Sequence, residues 1–235
     1  FVDRDRSVIP DLNDIAALLV LAGIREYMNK SDRLFVAKTV TTTDLVFDIG
    51  EHFQSCVEET PVGSRFLGNA LVKAKEKGLF PVIGVEDSAG IVYEEFTAGK
   101  DGLFALAKIL RYLSADKRSS GELQGALREL IKFGKYYRFK DSFRVSDNRV
   151  KEQILHESEA ILSEEDGELH TVRDALKFRN RGGWIVIRPS GTEPKFRIYA
   201  EAEQPDKIEP VLKKIASRLD RINVKLAPEL VLREY

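Results

Sequence analysis

The chain has little of several features that define whole classes of protein. Its single cysteine, Cys56, excludes an intrachain disulfide and a cysteine-based zinc cluster, and we expect it to be a small buried apolar side chain. Three histidines, His52, His156 and His170, lie far apart without metal-type spacing. The longest apolar run, Ile15 to Ile24, is well short of the about 20 residues that a membrane span needs.

A net charge of one sign is also lacking, because 37 Lys and Arg residues nearly cancel 38 Asp and Glu residues. No global field would recruit nucleic acid or an anionic membrane, so any anion must be bound by local groups. The opening "FVDRDR" has no apolar signal segment behind it. The sequence therefore predicts a cytoplasmic protein with neither nucleic acid nor membrane as a partner.

The first half of the chain alternates strands with helices. "RLFVAKTV", "SCVEE" and "LFPVIGVE" have the apolar composition of strands, and helical spacing follows each of them. This alternation predicts an α/β domain with a mostly parallel sheet. In the helix after Asp101, the spacing places Leu103, Leu106, Ala107 and Leu110 inward.

The second half has a different order, which begins after the small and charged stretch "SADKRSSGE". A long helix is followed by strands around Leu169 to Phe178, by two alternating strands, "GGWIVI" and "KFRIYAEAE", and by a final helix. This order predicts a smaller α+β domain with an antiparallel sheet.

The loop "RPSGTEP" joins those two alternating strands and concentrates hydrogen-bond donors. Arginine offers a planar fork of donors, the hydroxyls add more, and a glycine lets backbone N–H groups turn toward one anion. A solvated connection that uses Pro and Gly for its geometry is the alternative. We favour a phosphate-binding loop, in which Glu193 orients the basic residues. The candidate residues are Arg188, Ser190, Gly191, Thr192 and Lys195.

The stretch "GVEDSAGI" lies just beyond the carboxyl end of an apolar strand, where ligands of open α/β sheets bind. Glu86 and Ser88 have the groups to hydrogen-bond vicinal hydroxyls of a sugar, whereas Glu86 and Asp87 would repel a phosphate. Taken alone, the stretch is equally compatible with a polar turn.

The stretch "FVDRDR" places Asp3 and Asp5 on alternate positions. Their carboxylates can converge on one cation, and hard oxygen ligands suit Mg²⁺. Two carboxylates are weak support on their own, and a solvated segment remains the alternative.

Together, and in this order, these stretches resemble the C-terminal half of the α-D-phosphohexomutases, the phosphoglucomutase, phosphomannomutase and phosphoglucosamine mutase family. "RPSGTEPKFRIYAEAE" resembles the phosphate-binding loop of that family's fourth domain, and "GVEDSAG" its G-E-x-S-G sugar loop. "ETPVGSRF" is similar to the loop before a third-domain helix that contacts the phosphosugar, and "VDRDR" to the tail of the magnesium loop.

The resemblance implies an isomerase that interconverts hexose 1- and 6-phosphates through a phosphoserine and a bisphosphorylated sugar. It implies sugar contacts from Gly63 and Arg65 beside Glu86 and Ser88, Mg²⁺ on Asp3 and Asp5, and a phosphoryl contact from Arg6. It further implies that residues 1–10 are a remnant of the metal-loop domain. Residues 11–140 would be the third domain with a connecting segment, and residues 141–235 the fourth.

The sequence also departs from the family's pattern. Phe1 stands where the first magnesium aspartate is expected, and Ala89 and Gly90 replace the usual Gly and frequent His. No T-A-S-H-N-P-like phosphoserine loop occurs, and none of Ser64, Ser88 and Ser190 has an obvious base beside it in the sequence.

Two hypotheses stay open on the sequence. In the first, the chain is the sugar- and phosphate-binding half of a mutase. The phosphoserine then lies on missing N-terminal domains of the same protein or on a separate partner chain, and the half alone is inactive. In the second, the chain is a non-catalytic relative that binds a phosphosugar or a partner.

Overall fold

The computed structural model describes residues 11–93, 101–115, 123–145 and 147–221, and the backbone of residues 233–234. The chain divides into two compact units, Phe1–Lys135 and Tyr136–Tyr235. None of the helices in the described ranges is long and apolar enough to cross a membrane.

The first unit is built on a four-stranded sheet in the order β2-β1-β3-β4. The first three strands are parallel, and the short β4 is antiparallel to β3. The elements in chain order are α1 (Leu12–Tyr27), β1 (Leu34–Thr39), α2 (Leu45–His52), β2 (Cys56–Thr60), α3 (Ser64–Glu76), β3 (Phe80–Val85), β4 (Ile91–Val92), α4 (Gly102–Ala115) and α5 (Leu123–Leu130).

Helix α1 is the central helix of this unit. Every residue from Ile15 to Ile24 is buried, because α1 contacts the sheet on one side and α2, α4 and α5 on others. A helix that is apolar all round is typical of such an enclosed position. Asp11 begins the helix by accepting a hydrogen bond from the backbone N–H of Asn13 at 2.8 Å, as its capping pattern predicts.

Helix α3 covers the sheet from a second side. Leu67, Ala70, Leu71 and Ala74 form the apolar stripe that its spacing predicts, and they pack on the sheet. The close approach depends on Gly84, where a Cβ would lie 2.9 Å from the Cβ of Leu67.

Two predictions about burial in this unit are wrong. Leu103, Leu106, Ala107 and Leu110 are exposed, Leu103 to 82%, whereas Ala105, Ile109 and Leu113 face inward. Cys56 is also exposed, because it opens the edge strand β2, whose side chains alternate between exposed and half-buried.

A cluster of hydrogen-bonded polar side chains joins three helices of the first unit. The guanidinium of Arg25 in α1 donates to both carboxylate oxygens of Glu129 in α5, at 2.7 and 3.0 Å, and also contacts the hydroxyl of Tyr112 in α4. The hydrogen bond from Arg25 holds the pKa of the Glu129 carboxyl below its usual range. This pair explains how a charged residue is accommodated on the buried face of the short α5.

The second unit is a six-stranded antiparallel sheet in the order β10-β5-β9-β8-β7-β6. Helices α6 and α7 contact each other and lie against its central strands, where their apolar faces form one core. The elements are β5 (Tyr137–Arg144), α6 (Asn148–Ser163), β6 (Glu168–Val172), β7 (Ala175–Asn180), β8 (Gly183–Pro189), β9 (Lys195–Ala202), α7 (Pro205–Asp220) and β10 (Arg233–Glu234).

The predicted fold class is confirmed: a mostly parallel α/β unit precedes a smaller unit with an antiparallel sheet. The sequence did not identify β4 or β5. Strand β5 carries the charged and aromatic stretch "YRFKDSFR" and pairs with β9 along its whole length. The predicted domain boundary between residues 140 and 141 lies inside this strand.

Candidate functional site

The carboxyl ends of the three parallel strands bring three loops to one edge of the first sheet. Thr39 at the end of β1 pairs with Thr60 at the end of β2, and Lys38 pairs with Val85 at the end of β3. The loops that leave this carboxyl edge are residues 40–44, residues 61–63 and the β3–β4 loop, residues 86–90. Ligands of open α/β sheets bind at such an edge.

A fully buried lysine lies at this edge, and the sequence analysis did not identify it. The Nζ of Lys38 is 2.8 Å from a carboxylate oxygen of Asp44 and 3.2 Å from one of Glu59. It also donates to the carbonyl of Thr42 at 2.8 Å and lies 4.5 Å from the ring centroid of Phe47. A lysine inside the apolar strand "LFVAKT", followed by "TTTD", was the signal that could have revealed it.

The β3–β4 loop holds its acidic residues inward and its serine outward. Glu86 is 4% exposed and Asp87 is buried, whereas Ser88 is exposed. The loop closes on itself, with the Glu86 N–H donating to Gly90 and the Ala89 N–H to Glu86. Ser88 Oγ lies 3.4 Å from Glu86 Oε2, so a carboxylate base does stand beside this serine, contrary to the sequence expectation.

Threonines of the β1–α2 loop connect it to the β3–β4 loop. Thr41 donates from its hydroxyl to the carboxylate of Asp87 at 2.8 Å, and Thr42 donates to the carbonyl of Val85 at 3.3 Å. The Thr43 N–H donates to the side chain of Asn13 at 3.0 Å, which fixes the start of α1 at the same edge. Two of the three edge loops are therefore held together by side-chain hydrogen bonds.

Ala89 occupies the left-handed backbone region, with φ +52°. This conformation suits glycine, the residue that the resembled family has at this position, and strains an L side chain. We predict that Ala89→Gly raises the free energy of unfolding by about 0.5–1 kcal/mol, the relief of strain being partly offset by the greater freedom of glycine in the unfolded chain. Urea denaturation followed by circular dichroism measures the change.

Ala160, exposed on helix α6, is the matched control for that substitution. Ala160→Gly should lower the free energy of unfolding by about 1 kcal/mol, since glycine is unfavourable inside a helix. A loss of stability in Ala89→Gly of similar size would contradict the strain at Ala89.

The loop of residues 61–63 ends at Gly63, which has φ +134° and precedes the first turn of α3. Arg65 follows in that turn, is exposed, and lies with its guanidinium carbon 4.6 Å from the ring centroid of Phe66. These two residues, predicted to contact the sugar, therefore lie at the same carboxyl edge of the sheet as the β3–β4 loop.

In the second unit, the phosphate-binding candidates lie in and around the β8–β9 loop, residues 190–194. The Ser190 N–H donates to the Lys195 carbonyl at 2.8 Å, which closes the loop. The Val145 N–H, just after β5, donates to the Pro194 carbonyl at 2.8 Å and joins the loop to its neighbouring strand. Gly191 and Thr192 are exposed at the tip.

The basic residues in and around this loop differ in their pairing with carboxylates. Glu193 accepts from Lys195 at 3.0 Å and from Arg197 at 2.9 Å, which matches the orienting contact expected of it. The hydrogen bond from Lys195, and after it the one from Arg197, holds the pKa of the Glu193 carboxyl below its usual range. Lys195 and Arg197 are thus both paired with one carboxylate.

Arg188 contrasts with those two cations. It sits near the end of β8 directly opposite Arg197, is 9% exposed, and donates from one guanidinium nitrogen to the Pro189 carbonyl at 3.3 Å. Its buried Nε has no hydrogen-bond partner in the part of the chain that the structure describes. An unsatisfied buried donor of this kind calls for a further acceptor, such as an anion.

Gly191, predicted to let backbone N–H groups turn toward an anion, has a conformation that other residues can also adopt. It is absent from the described glycines with positive φ, and a Cβ there would have no neighbour within 4 Å. The tip backbone therefore accommodates other residues sterically, and the space above it is open.

The predicted metal ligands Asp3 and Asp5, and the predicted phosphoryl contact Arg6, lie outside the described residues. Within the described ranges, no group of three or more His, Cys, Asp or Glu side chains is placed to hold a metal ion.

Two family models match the chain over most of its length. The model described as phosphoglucomutase/phosphomannomutase, alpha/beta/alpha domain III, matches residues 11–130, and that of the C-terminal domain of the same family matches residues 143–218. The chain belongs to the phosphoglucomutase/phosphomannomutase family and matches its C-terminal half.

Curated relatives extend this result. A phosphoglucomutase/phosphomannomutase of Thermococcus kodakarensis is 30% identical over 87% of this chain and 42% of its own length. A phosphoglucosamine mutase of Mesorhizobium japonicum is 28% identical over 91% of this chain and 43% of its own. The chain therefore spans less than half the length of these relatives, which are named as phosphomutases.

Solved structures share the fold. The pp63/parafusin phosphoglucomutase of Paramecium, in its open form, superimposes with a TM-score of 0.68 at 17% identity, over 94% of this chain and 43% of that one. A phosphoglucomutase/phosphomannomutase family protein of Burkholderia thailandensis gives a TM-score of 0.67 at 15% identity, over 94% of this chain and 44% of that one. At these identities the likeness establishes the fold.

Proposed function

We propose that the two units bind a phosphorylated hexose for a phosphohexomutase reaction. The first unit recognises sugar hydroxyls through the β3–β4 loop, and the second grips the phosphate that is not being transferred through Arg188 and the β8–β9 loop. The observation that carries the proposal is Arg188: a nearly buried cation with an unsatisfied donor, beside two cations that already share Glu193. A phosphate oxygen would supply the missing acceptor.

The reaction interconverts hexose 1- and 6-phosphates through a phosphoserine and a bisphosphorylated sugar. The bisphosphate must reorient by about half a rotation between the two transfers, so that first one end of the sugar and then the other faces the phosphoserine. One binding site for the phosphate at the end of the sugar farther from the phosphoserine, combined with carboxylate and hydroxyl acceptors for the ring hydroxyls, can bind the sugar in both orientations. The residues that bind the phosphate are those predicted for it, namely Arg188, Ser190, Gly191, Thr192 and Lys195. The residues that contact the sugar are Glu86, Ser88, Gly63 and Arg65.

The phosphoserine lies outside these 235 residues in this proposal, on further domains of the same protein or on a partner chain. Mg²⁺ would neutralise charge on the transferring phosphoryl group, as in phosphoryl transfer generally, and Asp3 and Asp5 carry the oxygen ligands that it prefers. A non-catalytic phosphosugar-binding protein remains the second candidate, favoured by the strained Ala89 in the sugar loop.

Binding experiments on Glu86 test the proposal. We predict that Glu86→Gln weakens the affinity for glucose 6-phosphate but leaves that for inorganic phosphate unchanged, because the carboxylate accepts hydrogen bonds from sugar hydroxyls whereas the proposed phosphate contacts are in the β8–β9 loop. Isothermal titration calorimetry with both ligands gives the comparison, and unphosphorylated glucose reports the sugar contribution alone. Equal effects on both phosphate ligands would assign Glu86 a structural role.

Turnover separates the enzyme half from a self-sufficient enzyme. We predict that the 235-residue chain does not interconvert glucose 1- and 6-phosphates, even with Mg²⁺ and glucose 1,6-bisphosphate, because none of its loops resembles the family's phosphoserine loop. A coupled assay of the purified chain measures this. Of Ser64, Ser88 and Ser190, Ser88 has a carboxylate beside it, so activity that is lost in Ser88→Ala and kept in Ser64→Ala would show that the chain carries its own nucleophile.

A further inference from the structure

A cavity lies away from the carboxyl edge, between helices α1 and α4 of the first unit. Its volume is about 390 Å³, within the range of small-molecule sites, about 300–1,000 Å³. On both helices the residues that line the cavity recur every three or four positions, as residues on one helix face do. Two helix faces therefore lie opposite each other with a gap between them. The lining residues from α1 are Leu19, Ala22, Gly23, Arg25 and Glu26, and those from α4 are Lys108, Arg111, Tyr112 and Ala115, with Tyr93 beyond β4.

The cavity is distinct from the candidate sugar site. Asn13, at the start of α1, contacts the loop at the carboxyl edge, whereas Tyr27, at its end, packs against Phe80 at the amino end of β3, with ring centroids 5.0 Å apart. The lining residues occupy the second half of α1. At 1.5 Å per residue, Leu19 to Glu26 lie about 9–20 Å along the helix from Asn13.

The described charged side chains around the cavity are paired with one another but carry a net positive charge. Glu26 is the lining carboxylate, and it accepts from Lys108 at 2.8 Å and from Arg111 at 3.3 Å. Arg25 adds a third cation, paired with Glu129. Among the residues that the structure describes around the cavity, three cations therefore stand against two carboxylates, and both carboxylates already accept from arginine or lysine.

Aromatic rings surround the ammonium group of Lys108, and the rings of Tyr93 and Tyr112 line the cavity. The Nζ of Lys108 lies 5.4 Å from the ring centroid of Phe104, 5.5 Å from that of Tyr27 and 5.8 Å from that of Tyr93. Burial raises the pKa of the Tyr93 phenol above its usual range, so its hydroxyl stays a neutral donor. The small residue Ala22 leaves space on the α1 side of the cavity for an apolar group.

We propose that this cavity binds a small organic anion, whose apolar or aromatic body lies between α1 and α4 and whose carboxylate, phosphate or sulfonate group faces Lys108 and Arg111. A cationic ligand would meet the net positive charge of these side chains, whereas an anionic group would be attracted by it. This site is independent of the proposed hexose phosphate site.

Fluorescence titration with 8-anilinonaphthalene-1-sulfonate tests the proposal on the whole 235-residue chain. We expect saturable binding of one molecule per chain and at least tenfold weaker binding of N-phenyl-1-naphthylamine, which has the same aromatic body without the anionic group. Lys108→Met should weaken binding of the sulfonate about tenfold, because it removes a charged donor. Lys73→Met, the same change at an exposed position on α3, is the matched control and should leave binding unchanged.

A cavity-filling variant provides the second arm. Ala115→Phe places a ring at the exposed end of α4 and should abolish binding, with circular dichroism showing that the fold is retained. The exposed leucines of α4 are the competing site for this probe. Loss of the signal in Leu110→Ser with no change in Lys108→Met or Ala115→Phe would overturn the proposal, as would equal binding of the uncharged probe or absence of saturable binding.

Discussion

Replacing Lys38 with methionine is expected to lower the free energy of unfolding by about 3–5 kcal/mol. The side chain is 0% exposed, and its ammonium group is shared between Asp44 and Glu59. Methionine preserves most of the volume and removes the charge, which leaves the buried carboxylate of Asp44 and the partly exposed carboxylate of Glu59 without their cation. Breaking a buried ion pair from one side has a cost of this size, whereas replacing the whole pair by apolar groups does not.

Urea denaturation of Lys38→Met and of the exposed Lys73→Met, followed by circular dichroism, separates burial from loss of charge. Lys73→Met should change the free energy of unfolding by less than about 0.5 kcal/mol. Adding Asp44→Asn to Lys38→Met should recover part of the loss, because it removes one of the uncompensated carboxylates. If Lys38→Met and Lys73→Met are equally stable, the ion pair does not contribute as the geometry indicates.

The same lysine shows what the sequence could not predict. Its place in "LFVAKT" is visible as a polar residue at the end of an apolar strand, but its partners are not. Asp44 comes from the following loop and Glu59 from the neighbouring strand β2, so the cluster exists only once β1 and β2 pair in register. The loops at the strand ends could be predicted from the local sequence pattern. Contacts between side chains of different strands could not, because they depend on how the strands pair.

Helix α4 shows a different limit. Its sequence "GLFALAKILRYLSA" carries two apolar stripes, one with Leu103, Leu106 and Leu110 and the other with Ala105, Ile109 and Leu113. Periodicity alone cannot choose between them. In the structure the second stripe is buried. Helix α4 contacts α1, which lies against the sheet, and the second stripe has smaller side chains than the first.

The β8–β9 loop was predictable to a greater extent, because its donors are consecutive in the sequence. The contact of Glu193 with the basic residues also followed from local spacing. The distinction between Arg188 and its neighbours did not, since it depends on which strand position is buried and on the pairing of Arg188 with Arg197 across the sheet. That distinction makes Arg188 the residue with the largest expected effect on ligand binding.

Replacing Arg188 with alanine should weaken the affinity for glucose 6-phosphate by about 10- to 100-fold, since a charge-assisted hydrogen bond contributes about 1.5–3 kcal/mol. The loss should be shared by inorganic phosphate, because the contact is to the anion and not to the sugar. Arg188→Lys should fall between wild type and alanine, since lysine keeps the charge but not the planar fork of donors. Isothermal titration calorimetry with both ligands measures these affinities.

Arg181 provides the matched control, because it is an exposed arginine in the turn before β8, at the opposite end of that strand from the β8–β9 loop. Arg181→Ala makes the same change in net charge and should leave both affinities within about twofold, since exposed charges at that distance are largely screened by salt. Equal weakening in Arg181→Ala and Arg188→Ala would mean that net charge alone attracts the ligand. Unchanged affinity in Arg188→Ala would remove Arg188 from the phosphate site, and its buried Nε would then need another acceptor.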